Sequence, residues 1–307
     1  MGADETRDVV VVGGGPAGLS CALVLGRARR DVTVCDAGRP RNRSAAAMHG
    51  YLTREGTSPL EFLAMGRAEL ARYPSVQLRR GLVIEATAIG GGFRVAMEDG
   101  HTMRCRKLVL ATGIVDELPA VPGAEELYGR GLHHCPYCDG WELRDRALLV
   151  YGRGDADGAH FALALTRWSD DLTLCTDGPS GCTPDALRRL RRAGIPVVEQ
   201  RVRRFARAGD QIEALLDDGT ALRCGGVFFN TTRRQPGDLL HQLGCEEAEP
   251  TGCRIDDPSG RCSVDGLYVI GDASRDALQV IVAAAEGARA AIDINGVLLR
   301  EDDVLPR

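Results

Sequence analysis

Residues 133–142 read HHCPYCDGWE, which places Cys135 and Cys138 two residues apart, with His133 and His134 before them and Asp139 after. Two sulfurs brought together by one local turn serve either a zinc ion or a dithiol that opens and closes. Zinc takes four ligands, and the chain holds no second CxxC. His133 and His134 adjoin Cys135 too closely to complete a tetrahedron comfortably, which weighs against a metal and toward a redox pair. The attacking species in such a pair is a thiolate, so a carboxylate or imidazole beside it must take the proton near neutral pH. Asp139 is the first candidate base. His133, His134 and His49, the last in the loop SAAAMHGYLTREG, are further candidates.

A redox pair needs an electron partner, and the N-terminal segment DVVVVGGGPAGLSCALVLGRARRDVTVCDAG indicates one. An apolar strand over 8–12 runs into Gly13-x-Gly15-x-x-Gly18, then a helix, then a second strand ending in Asp36. Glycines there allow a tight turn, close approach of backbone to a pyrophosphate, and helix-sheet packing, while the acid meets a ribose hydroxyl. A second strand-turn-helix follows at 147–168, with the strand DLTLC after it. Each cradle later meets a hairpin signal, at Asp99-Gly100 and at Asp218-Gly219, and each hairpin runs into an apolar strand, KLVLATG and GVFF. Two copies of one plan imply an α/β fold with two Rossmann-like domains. LYVIGDAS at 267–274 is a further strand ending in Gly271-Asp272, followed by an Ala-rich helix over about 278–299. It pairs with no local cradle, so it is expected to return to the first domain, with the second domain inserted.

Composition is compatible with this. A chain of 307 residues, 44% apolar and 26% charged, can bury a large core and divides into about two domains. The formal charge of -5 leaves no basic footprint for nucleic acid, and the arginine runs at 188–192 and 201–204 are short enough for solvated faces. No stretch approaches a membrane span, and the apolar run Val9 to Val12 lacks a charged lead and a cleavage site, so a cytoplasmic location is expected. Eleven cysteines, an odd number scattered through the chain, do not resemble a secreted disulfide framework.

The GGGPAGLS cradle, LATG at 110–113, CxxCDG and GDAS at 271–274, in this order, resemble the low-molecular-weight thioredoxin reductase family of flavoproteins across nearly the whole chain. The tetrapeptide CPYC also occurs in glutaredoxins, but those are small single domains without dinucleotide cradles. The resemblance implies an FAD-binding domain over 1–115 and 244–307, and an NAD(P)-type domain over 116–243 that carries the CxxC. It further implies that Gly13, Gly15 and Gly18 hold the FAD pyrophosphate and Asp36 the adenosine ribose, with Pro16 and Ala17 also in the cofactor site. Ala111, Thr112, Gly113, Gly271 and Asp272 would complete the site, Asp272 on the ribityl chain, with Gln279 and Val280 on the flavin's pyrimidine edge. Cys138 would face the flavin, Cys135 would exchange with substrate, and Asp139 would relay protons. A homodimer is the expected assembly.

The second half departs from the reductase pattern. Its cradle reads Gly152-Arg153-Gly154-Asp155-Ala156-Asp157, with an acid where Gly or Ala normally packs helix on strand. Where the reductases carry an arginine cluster for the 2'-phosphate, this chain has Cys175-Thr176-Asp177, and an Asp there repels a phosphate. Asn230 stands where they have a glycine beside the nucleotide. In lacking the cluster the chain is similar to the dithiol oxidases that close disulfides in small molecules such as gliotoxin, holomycin and romidepsin, passing electrons to O2. Pro136, Tyr137 and Trp141 would suit a compact dithiol substrate. The expected activity is therefore FAD-dependent dithiol oxidation with H2O2 as product. The alternatives are an NAD(P)H-dependent disulfide reductase, with NADH bound through Asp177 as one variant, and a flavin-bound redox sensor.

Overall fold

The computed structural model describes residues 6–152, 156–245, 255, 257–274 and 277–306. The chain divides into two compact units, one of Met1–Arg43, Thr57–Asp116 and Arg233–Arg307, the other of Ser44–Gly56 and Glu117–Thr232. The second unit thus ends at 232 instead of the expected 243, and it takes in Ser44–Gly56 from the first half of the sequence. Local packing holds that loop there: the backbone at Gly129 lies against Ser44 and Ala45, and Arg130 Nε donates to the Ser44 carbonyl.

The central sheet of the first unit has the order Val76–Arg80, Val32–Asp36, Thr6–Val12, Thr102–Leu110, Gly92–Met97, Val83–Ile89. Val9–Val12 pair in parallel with Val32–Cys35 on one side and with Lys107–Leu110 on the other. The four valines are buried on both faces, as a central parallel strand between two covering layers requires. Their alternation feeds two cores. Val9 and Val11 meet Leu25, Ile294 and Leu298 on the helical side. Val10 and Val12 meet Phe93, Met97 and Leu240 on the other. Strand Leu267–Val269 pairs in parallel with Leu108–Leu110, so the chain does return to this sheet after the second unit.

Helix Pro16–Arg27 starts at a proline, whose fixed φ suits the first helical position and whose missing N–H is no loss there. It packs against the long C-terminal helix, Val280–Glu301, at a glycine: a Cβ on Gly287 would lie 2.1 Å from the Ala17 carbonyl oxygen. Contact that close between backbones exists only where one residue lacks a side chain.

The second unit has a five-stranded parallel sheet in the order Val197–Val198, Leu172–Cys175, Leu148–Tyr151, Gly226–Phe229, Leu132–His133. A three-stranded antiparallel sheet, Val202–Ala208, Gln211–Leu216 and Ala221–Cys224, covers one face through a core that includes Phe205, Ile212 and Phe229. Both expected hairpins form. Asp99 and Asp218 each accept a hydrogen bond from the backbone N–H two residues on, and Gly100 and Gly219 take positive φ, the conformation such tight turns require.

Two glycines of the C-terminal helix, one packed on the first helix and one not, generate a paired prediction. Gly287→Val, which forces side-chain atoms into the Ala17 backbone, should destabilise by at least about 1–3 kcal/mol. Gly296→Ala, on the same helix with its nearest new contact at 3.7 Å on a flexible Arg300, should stabilise by about 0.5–1 kcal/mol. Urea unfolding midpoints of the two variants check both signs.

Candidate functional site

Strand Leu132–His133 lies at the edge of the second unit's sheet, with His133 opposite Phe228, and it delivers the chain directly into Cys135. Pro136 then opens a single helical turn, Pro136–Asp139, closed by the Cys138 and Asp139 N–H groups donating to the Cys135 carbonyl. One turn brings the two sulfurs together, and Cys135 and Cys138 form a disulfide with their Cα atoms 5.2 Å apart. Gly140 ends the turn because a Cβ there would strike the Trp168 ring and the Pro136 carbonyl. Trp168 packs edge-on against Tyr137, itself 80% exposed, and Arg144 lies over the exposed Trp141 ring at 4.0 Å. An aromatic, accessible surface therefore borders the disulfide.

The candidate proton-handling groups lie in the same unit. His133 is buried, and its Nδ1 lies 3.0 Å from Asp139 Oδ1, close enough for an ion pair but not aligned as a hydrogen bond. His134 stacks on Tyr128 at 5.8 Å between ring centroids, with Tyr128 Oη 3.3 Å from its Nδ1. His49 arrives on the 44–56 loop. Its Nδ1 lies 2.6 Å from Glu55 Oε1 and its Nε2 lies 3.6 Å from Glu142 Oε1, four residues beyond Cys138. The bond from His49, together with the Gly50 N–H, holds the Glu55 carboxyl below its ordinary range. Glu55, Glu142 and Tyr128 escape sequence reasoning because nothing in their spacing links them to a CxxC. Among the described residues, no three His, Cys, Asp or Glu side chains cluster as a metal site.

In the first unit, the glycines of the N-terminal cradle have separate physical reasons. Gly13 has φ 111°, and a Cβ on it would lie 2.1 Å from the Ala111 carbonyl oxygen; a Cβ on Gly18 would lie 1.9 Å from the Gly13 carbonyl oxygen. Gly15 borders open space, the room a pyrophosphate needs at a helix N-terminus that begins at Pro16 and Ala17. Asp36 stands over Gly14, accepting from the Gly38 N–H and from Arg67 Nη2. Ala111 donates its N–H to the Val12 carbonyl, and Thr112 and Gly113 continue from it beside the cradle.

Gly271, at φ 69°, donates its N–H to Glu286 and lies against Ala17. Burial pushes the Asp272 carboxyl up, against the pull of Arg41, whose Nη1 lies 3.2 Å away while its other nitrogens hold Asp116. Gln279 is the N-cap and Val280 the first residue of the C-terminal helix, and the first-turn N–H groups of a helix have no acceptor within it. A half-buried carboxyl, a helix start and a side-chain-free cradle in one unit are groups that could hold a flavin dinucleotide.

The second cradle differs from the expectation. Residues 153–155, and so Arg153, Gly154 and Asp155, lie outside the described residues. Asp157 does not crowd the helix-strand contact: it is exposed, and Gly158 is the buried residue there, its Cα 3.2 Å from a Cβ placed on Gly152. The packing glycine thus comes one residue later than in the first cradle. Asp177 is directed toward the antiparallel sheet, where its Oδ2 accepts from Tyr151 Oη at 2.8 Å and its Oδ1 from the Val202 N–H at 2.7 Å. Tyr151 is in turn packed on Phe205. Asp177 therefore staples two sheets together, which counts against the variant in which it holds an NADH ribose. Asn230 is exposed at the end of strand Gly226–Phe229.

Among the described residues no helix is long and apolar enough to cross a membrane. The solved structure of HlmI is 37% identical with a TM-score of 0.90, covering 97% of this chain and 94% of that one. A putative thioredoxin reductase TrxB from Bacillus anthracis is 34% identical with a TM-score of 0.91, covering 96% and 99%. Thioredoxin reductase sirT from Leptosphaeria maculans is 29% identical over 96% of this chain and 95% of its own. The description of the pyridine nucleotide-disulphide oxidoreductases matches residues 7–288. With that match, a CxxC disulfide and the α/β fold of the thioredoxin reductase structures, the chain belongs to the flavin-dependent pyridine nucleotide-disulphide oxidoreductase family as a thioredoxin reductase-like disulfide oxidoreductase.

Proposed function

We propose that this enzyme is an FAD-dependent dithiol oxidase that closes a disulfide in a small-molecule dithiol through Cys135 and Cys138. The observation that carries the reading is Asp177. Where a 2'-phosphate would need cations, the chain has a carboxylate locked to Tyr151 and Val202, and among the described residues no cation pairs with it. The sequence resemblance to natural-product dithiol oxidases supports the same assignment, whereas the relative sirT carries the name thioredoxin reductase and fits the second reading below.

In the proposed cycle a substrate thiolate attacks Cys135, and Cys138 leaves as a thiolate. The second substrate thiol then displaces Cys135, so the substrate departs as a disulfide and the two cysteines hold its two electrons. Asp139 takes the proton released at the pair, with His133 Nδ1 3.0 Å away to share it. His49, between Glu55 and Glu142, is a second proton-holding group in the same unit. FAD, held by Gly13, Gly15, Gly18, Asp36 and Asp272, supplies the two-electron acceptor that O2 can restore. The sum is balanced: one dithiol and one O2 give one disulfide and one H2O2. A second reading has its own observation. Gly152 and Gly158 keep a close helix-strand contact, as a working nucleotide cradle would, which favours a reductase using NADH.

Three outcomes are expected. Asp272→Ala should weaken FAD retention about 10- to 150-fold, the equivalent of a charge-assisted hydrogen bond of roughly 1.5–3 kcal/mol, measured by flavin release on dilution. Cys138→Ser should keep FAD but turn over below about 1% of wild type, because serine cannot carry the disulfide, and Cys135→Ser should fail in exchange with substrate. Anaerobically, small dithiols should bleach the flavin band while NADPH does so slowly or not at all. Rapid bleaching by micromolar NADPH would overturn the oxidase assignment, and rapid bleaching by NADH alone would establish the second reading.

A further inference from the structure

A second pair of cysteines lies in the first unit, apart from the residues assigned to either half of the chemistry. Cys245 and Cys262 are bonded sulfur to sulfur with their Cα atoms 6.7 Å apart, within the span a disulfide bridges without moving backbone. Cys245 is 5% exposed and belongs to the core under the sheet, and Cys262 packs against the same core while keeping partial access to solvent. The other described cysteines of this unit are single thiols shielded from such chemistry. Burial pushes the thiols of Cys21 and Cys105 up to about 12 and that of Cys35 up to about 11.

The bond joins two structures that matter to the cofactor half. On one side, helix Leu239–Gln242 grips strand Val83–Ile89 through Gln242, which accepts from the Ala86 N–H and donates to the Ile84 carbonyl. On the other, Cys262 donates its N–H to Leu267, and Arg261 bridges antiparallel to Tyr268. Both partners lie on the strand that leads into Gly271 and Asp272. Arg261 also forms a two-pronged pair with Asp293 of the C-terminal helix.

We propose that Cys245 and Cys262 are a second, redox-sensitive disulfide that closes with hydrogen peroxide, opens with small dithiols, and clamps the strand leading to the cofactor residues. On closing, peroxide oxidises Cys262, the more accessible sulfur, to a sulfenic acid with loss of one water. Cys245 then displaces the second water, so two thiols lose two electrons and the O–O bond is reduced. On opening, a dithiol attacks the bond, passes through a mixed disulfide and leaves oxidised, returning both thiols. The clamp does not depend on the direction of the catalytic reaction.

The test uses the FAD-loaded protein, reduced with dithiothreitol, desalted, treated with peroxide and quenched with N-ethylmaleimide. Digestion after arginine and glutamate separates Cys245, Cys253 and Cys262. A linked Cys245–Cys262 peptide should dominate after peroxide and vanish after dithiothreitol. Oxidised wild type should also melt roughly 5–10 °C above reduced wild type, as a 17-residue separation predicts. That difference should shrink in both Cys262→Ser and Cys245→Ala. Links to Cys253, alkylation of both thiols after peroxide, or an undiminished melting difference in the two variants would overturn the proposal.

Discussion

The structure depends on one steric constraint, the approach of backbone to backbone around the N-terminal cradle. The Ala111 carbonyl lies where a Gly13 side chain would be, the Gly13 carbonyl where a Gly18 side chain would be, and the Ala17 carbonyl where a Gly287 side chain would be. Three segments far apart in sequence are thereby packed without intervening side chains. The same contacts lie at the end of the central strand, at the start of the first helix and where the C-terminal helix meets it. Gly271, wedged against Ala17, brings Asp272 to the same place. Gly15 alone of these cradle glycines borders open space, the room that the pyrophosphate of the proposed cofactor would use.

The redox half obeys a different constraint. A disulfide that must open and close needs its sulfurs held by a short rigid turn and its proton acceptors within reach, yet it must stay accessible. Pro136 and Gly140 define the turn, Trp168 supports it from beneath, and Tyr137 and Trp141 remain at the surface. His133 is a buried imidazole packed on Phe228, and its Nδ1 lies 3.0 Å from Asp139 Oδ1 without the alignment of a hydrogen bond.

Much of this was legible in the chain because it is written in local patterns. The glycine spacing, the valine run, the two Asp-Gly turns and the CxxC each specify a conformation within a few residues. What was not legible depends on long-range packing. The loop carrying His49 looks like part of the first half in sequence, but the contacts of Ser44 and Ala45 at Gly129 assign it to the unit that carries Cys135. Asp177 occupies a ribose-reading position in the pattern, and only its bonds to Tyr151 and Val202 show a structural role. Asp157 misleads for a similar reason. The helix register places Gly158, one residue later, against Gly152.

Oxidase and reductase differ in where the electrons of the Cys135–Cys138 pair go, and their balance with oxygen separates the two. The most direct measurement follows thiol loss, O2 uptake and H2O2 formation together in air, with purified enzyme, a small dithiol and no pyridine nucleotide. The expected result for a dithiol oxidase is one O2 consumed and one H2O2 formed for every two thiols lost. Thiol loss without oxygen uptake, or turnover that begins only when NADH or NADPH is added, would contradict it.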